Sequence, residues 1–192
     1  MALTPNAHST FNLDSQANIM RSPSPAFQLT FSLIAAALLL MSAAPAMASD
    51  GVVACDFNVF PIDRDPKGTN VRNGPGPENR IIATIGDQDS EIAVTGISGK
   101  WLRVQHAESV EGKVFLDGEG WLYASLMGVT ARRAIKLHAA PDAKSAVVGS
   151  MSADNQGTVL SCAGKWIQVQ AGQLKGWMAP ETHCGNPVTT CV

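Results

Sequence analysis

Charge is scarce in this sequence and neither sign predominates: Asp, Glu, Lys and Arg make up 16% of 192 residues, for a formal net charge of −2. From Ser49 onward, 13 basic residues are interspersed with 15 acidic ones. No basic stripe is present to neutralise a phosphate backbone, which excludes nucleic acid as a partner. Long apolar runs are also lacking. The longest, Phe31 to Met41, falls short of the about 20 residues that a membrane-spanning helix needs, so no stable span is expected once a leader is removed. Aromatic residues amount to 6%, with a single tyrosine, against which four tryptophans stand out.

Signatures of catalysis are missing as well. Gly96-Ile97-Ser98-Gly99-Lys100 has the spacing of neither a phosphate loop nor a nucleophile elbow. The histidines show no i, i+4 pair around a Glu, which removes the zinc-hydrolase pattern. Between Asp63 and Gly74, Lys67 occupies a ligand position of a calcium loop, and Gly74 stands where a bidentate Glu is required. The sequence therefore assigns no catalytic residue, no metal and no cofactor, and the chain reads as a protein that is not an enzyme.

What is present begins with an export signal. Arg21 precedes the apolar run, and Ala46-Met47-Ala48 closes it as an A-x-A cleavage pattern, so residues 1–48 read as a signal peptide cut after Ala48. Met20-Arg21 makes the better start of such a signal, and a start at Met20 is expected. All four cysteines, Cys55, Cys162, Cys184 and Cys191, follow the cleavage point. An even count in an oxidising compartment favours two disulfides over a metal site or a nucleophile, with three connectivities open. The mature protein is expected in the periplasm or outside the cell.

The tryptophans expose an internal repeat. Gly99-Lys100-Trp101 and Gly120-Trp121 recur in the same order as Gly164-Lys165-Trp166 and Gly176-Trp177. Upstream, Val71 to Ala83 lies over Leu137 to Gly149 without gaps, and between the tryptophans the first copy carries nine extra residues around Glu108 to Gly118, read as a surface loop. Both Trp101-Leu102-Arg103-Val104-Gln105 and Trp166-Ile167-Gln168-Val169-Gln170 alternate with the period of a half-buried strand. Turn signals at Asn73 to Gly76, Ser98-Gly99, Asp117-Gly118 and Ala171-Gly172 separate such runs. Gly and Pro supply 28 residues spread along the chain, which suits many short strands. The expected fold is all-β, with a small barrel for each copy.

Alternation also assigns faces. Leu102 and Val104 share one side of their strand, while Trp101 falls with Arg103 on the polar side, and Trp121 joins Tyr123 opposite Leu122. A full indole buries about 150–250 Å² and seldom stays bare. Its cover is either a ligand or the protein's own loops and second copy. Trp101, Trp121 and Tyr123 are the better ligand candidates; Trp166 and Trp177 are read as structural.

The strings Gly68-Thr69-Asn70-Val71-Arg72-Asn73-Gly74-Pro75, Gly99-Lys100-Trp101-Leu102-Arg103-Val104 and Gly120-Trp121-Leu122-Tyr123 resemble the bacterial SH3 (SH3b) family. The resemblance implies two tandem small SH3-like β-barrels after the signal peptide: an N-terminal segment at 49–57, barrel 1 at 58–128, a degenerate barrel 2 at 132–184 and a tail at 185–192. It implies a ligand groove lined by Asn70, Arg72, Trp101, Trp121 and Tyr123, although an Arg in this motif equally serves to tie its neighbouring loop through backbone carbonyls. It implies the disulfides Cys162–Cys184 and Cys55–Cys191. The expected function is non-catalytic recognition of a cell-wall (peptidoglycan) peptide; the alternatives are an adaptor holding another exported protein and, last, a small hydrolase or inhibitor.

Overall fold

Alternating sequence becomes alternating burial. The computed structural model describes residues 51–186; the signal segment 1–48, Ser49, Asp50 and residues 187–192, with Cys191, lie outside the described residues. Thirteen strands occur among the described residues: β1 (Val53–Pro61), β2 (Thr69–Arg72), β3 (Ile81–Ile85), β4 (Ser90–Ser98), β5 (Trp101–Ser109), β6 (Val114–Tyr123), β7 (Met127–Ala131), β8 (Ile135–His138), β9 (Val147–Met151), β10 (Gln156–Ala163), β11 (Trp166–Ala171), β12 (Leu174–Met178) and β13 (His183–Cys184). One 3₁₀ turn, Ala124–Leu126, follows β6. On β5 and β11 the aliphatics Leu102, Val104, Ile167 and Val169 are completely buried, while Trp101 and Trp166 on the other side are half-buried.

Among the described residues the named strands all pair antiparallel and form one continuous sheet in the order β3-β2-β6-β5-β4-β1-β7-β10-β11-β12-β8-β9, with β13 added on β7. The sequence repeat is written into this order. Read outward from β1 it runs β1-β4-β5-β6-β2-β3, and read outward from β7 it runs β7-β10-β11-β12-β8-β9, the same path with every label raised by six. Buried residues follow the repeat: Val71 and Leu137, Ile85 and Met151, Leu102 and Ile167, Leu122 and Met178 occupy matching positions. Each such side chain contributes about 1.5–3 kcal/mol on burial, as an upper bound. Phe57 and Val59 of β1 share the same core with Met127 and Val129 of β7.

The β4–β5 and β10–β11 hairpins close through two-residue turns, Gly99-Lys100 and Gly164-Lys165. Both glycines have φ of 57°, the left-handed conformation such tight hairpins demand and other residues avoid.

Three features differ from the sequence expectation. The nine extra residues of the first copy do not form a loose loop but lengthen the β5–β6 hairpin, where Ser109 N–H donates to the Lys113 carbonyl at 2.9 Å. Asp117-Gly118 lies inside β6 rather than at a turn; Gly118, with φ of 132°, sits where the register against β5 shifts, so the glycine kinks a strand instead of ending one. Residues 53–57, set apart in sequence as an N-terminal segment, are the first half of β1, with Cys55 and Phe57 buried.

The disulfides differ too. Cys55 is bonded to Cys162, with Cα atoms 6.0 Å apart, so neither Cys162–Cys184 nor Cys55–Cys191 forms. The cause lies in the backbone. β1 runs alongside the Gly164 turn, where Asp56 N–H donates to the Gly164 carbonyl at 3.0 Å and Gly164 N–H to the Ala54 carbonyl at 2.9 Å, which brings Cys55 to the end of β10. Cys184 is also oxidised.

Candidate functional site

On the outer side of the first repeat, strand pairing lines up Arg72, Trp121 and Arg103 in one cross-strand row, with Trp101 opposite Tyr123 in the next. Directly opposed residues share a face, so this row and its neighbour lie on the same side of the sheet. The Trp101 and Tyr123 rings meet edge-on, with centroids 5.4 Å apart, and the Arg72 guanidinium lies 6.0 Å from the Trp101 centroid. All three side chains are half-buried. A guanidinium at that distance from an indole face is weakly attracted by the ring quadrupole.

Arg72 has a second attachment. Its Nη1 donates to the Asn79 carbonyl at 2.6 Å, across the 73–80 loop that Asn73 N–H closes on the Arg80 carbonyl at 3.0 Å. The loop-tying role of this arginine is therefore seen directly. Under the turn at Lys100, Ala124 N–H donates to the Lys100 carbonyl at 2.9 Å and fixes the end of β6 beside Trp101.

Three of the five sequence candidates, Arg72, Trp101 and Tyr123, thus come together. Trp121 does not join their surface: it is only 6% exposed, flanked in the ladder by Arg72 and Arg103. Its position on the polar side was legible from alternation, but two long arginine side chains beside it were not part of that reading, and such stems cover apolar surface well. Asn70 is exposed on the same side of β2, one pleat away, where its Oδ1 accepts a bond from Thr84 Oγ1 at 3.3 Å.

The second repeat reproduces the arrangement. His138 stands at the Arg72 position and opposes Trp177, which opposes Gln168. The His138 ring meets Trp166 edge-on at 5.5 Å, and its Nδ1 lies 3.4 Å from the Ser145 carbonyl, the counterpart of Asn79. With shorter neighbours than Trp121 has, Trp177 is half-buried.

Sequence reasoning missed a cleft of about 290 Å³ whose lining includes Asn58, Glu91, His106, Glu108 and Asn186. Glu91 opposes Glu108 and Ala93 opposes His106, so the lengthened hairpin builds its floor, and the only sequence signal was the alternation of these residues. Its groups bond one another: Asn58 Nδ2 donates to Glu91 Oε1, Asn186 Nδ2 to Glu91 Oε2 at 3.1 Å, and His106 Nε2 lies 3.1 Å from Glu108 Oε2. Among the described residues no group of three or more His, Cys, Asp or Glu is arranged to hold a metal ion.

His183, next to the oxidised Cys184, meets the Phe57 ring edge-on at 6.0 Å and has its Nε2 3.3 Å from the Lys165 carbonyl. Burial lowers its pKa from the ordinary histidine value; the contact with the Lys165 carbonyl opposes this, and the positive charge of Arg132 adds to it.

No protein-family model matches the chain. No curated protein matches it either. Among solved structures it is similar to NlpC2 from Trichomonas vaginalis, at 8% identity with a TM-score of 0.29, over 68% of this chain and 48% of that one. It is similar to NlpC1 from Trichomonas vaginalis at 11% identity, again with a TM-score of 0.29, over 68% of this chain and 46% of that one. The chain spans about half the length of these two structures.

Proposed function

We propose that this chain is an exported, non-catalytic binding protein of two SH3b-like barrels, one per repeat, and that the first repeat takes an extended cell-wall peptide on its Trp101–Tyr123–Arg72 face. The observation that carries the reading is the half-exposed placement of this aromatic pair, beside a guanidinium, on the polar side of strands whose other side buries Leu102, Val104 and Leu122. Rigid aromatics flanked by a cation form the kind of surface that receives an extended peptide, the rings supplying contact area and the charge its orientation. The Cys55–Cys162 bond accords with an oxidising compartment and with the leader read at 1–48. Mature protein mixed with purified peptidoglycan is expected to sediment with it, and Trp101→Ala to leave most of the protein in the supernatant. Wild-type protein that stays in solution just as the variant does overturns the reading.

A second reading, an adaptor for another exported protein, is favoured by the two outer strands of the sheet. β3 and β9 expose Ile81, Ile82, Val147 and Val148 and carry no charged residue, so their outer edges, unpaired among the described residues, suit addition of a partner strand. Pull-down from a periplasmic extract after wall-degrading treatment separates the two: a retained protein partner supports the adaptor, and loss of all retained material supports wall recognition.

A further inference from the structure

The sequence of the second repeat has drifted, yet the wall of its aromatic face has not. The 73–80 loop is closed by Asn73 N–H on the Arg80 carbonyl (3.0 Å), Gly76 N–H on Gly74 (3.1 Å) and Asn79 N–H on Gly76 (3.3 Å). The 139–146 loop repeats all three: Ala139 on Ala146 (2.8 Å), Asp142 on Ala140 (2.8 Å) and Ser145 on Asp142 (3.0 Å). The side chain that reaches across each loop, Arg72 or His138, is also the one that leans on the neighbouring indole, Trp101 or Trp166. Side-chain identity has changed at nearly every one of these positions while the shape persists.

Exposure has moved in the same direction. The first repeat leaves one indole half-buried and seals the other, whereas the second leaves both Trp166 and Trp177 half-buried. This face carries a cation as well, since Lys136 is exposed on the same side of β8 as His138, at the position where β2 has the uncharged Asn70. A purely structural copy gains nothing from two partly bare indoles, each of which keeps apolar area in water.

We propose that the second repeat carries a ligand site of its own, formed by Trp166, Trp177 and His138 against the 139–146 loop, and that it takes a second segment of the same class of cell-wall peptide. This rests on the reading given above for the first repeat. β1 pairs with β7, and Cys55 of β1 is bonded to Cys162 of β10, so the two faces belong to one tied body. Two sites held this way bind a polymer of repeated peptides far better than a single peptide, because the second contact forms within an existing complex. The protein's selectivity is then for polymeric wall over its soluble fragments.

The test is calorimetric titration of the oxidised mature chain with soluble stem peptides released from peptidoglycan, alongside sedimentation with the intact polymer. Two sites are expected for the wild type and one each for Trp101→Ala and Trp166→Ala, with retention on the polymer lower by at least about 10-fold in either variant. Trp166→Phe, which keeps a ring in place, is expected to retain two sites, separating loss of the ring from loss of the fold. A single wild-type site that Trp166→Ala leaves untouched overturns this inference while the first-repeat reading stands. Absence of any binding by the wild type overturns both.

Discussion

Position 72 and its counterpart 138 show how much one side chain can organise. Arg72→Ala removes the donor to the Asn79 carbonyl and the cover beside Trp101. The expected cost is about 1–3 kcal/mol in urea unfolding, with faster hydrogen exchange at the Asn73 amide that closes the loop. Arg72→His is expected to recover part of this, because His138 makes the equivalent contact in the other repeat. His183 gives a pH prediction. Its pKa in the folded protein lies below the unfolded value of 6.5, so the unfolded chain binds more protons and stability falls as pH drops through and below that value. Melting temperature measured from pH 7.5 to 5 is expected to decline more steeply in the wild type than in His183→Gln. Of this detail, sequence alternation gave the side on which each Trp falls, and the resemblance noted in the sequence offered Arg72 two roles, of which tying the 73–80 loop is seen. It could not tell that Trp121 would be covered, because cover comes from neighbours on other strands.

Among the elements, strands with clean alternation, such as β5 and β11, were readable, as were the Gly99 and Gly164 turns. The lengthened β5–β6 hairpin was not. Its tip lacks a regular apolar alternation, and Asp117-Gly118 imitates a turn while serving as a kink within β6. Polar residues there read as loop because sequence cannot see that β4, extended to Ser90, supplies the partner strand. At the sheet's ends, the absence of charge on β3 and β9 leaves edges that other chains can pair with. Ile82→Lys and Val148→Lys, at exposed positions, are expected to change stability by no more than about 0.5 kcal/mol and to slow aggregation of the concentrated protein, read by light scattering.

For the whole molecule, the disulfide joins residues 107 apart and ties the strand that opens the first repeat to the second. Closing a loop of that length restricts the unfolded chain, so the Cys55→Ser, Cys162→Ser double variant is expected to lose about 2–5 kcal/mol in denaturant unfolding. The repeat and the strand content could be read from spacing, but the pairing of cysteines could not. It follows from β1 lying at the middle of the sheet beside both β4 and β7, a non-local fact with no trace in local composition.

β13 takes on β7 the place that β7 takes on β1. The end of the second unit is therefore laid down as the opening of another, and nothing in this hydrogen-bonding plan fixes the count at two. A concatemer with one more unit grafted after Cys184 is expected to fold as a longer ribbon of the same kind, melting cooperatively and with proportionately more β signal in circular dichroism.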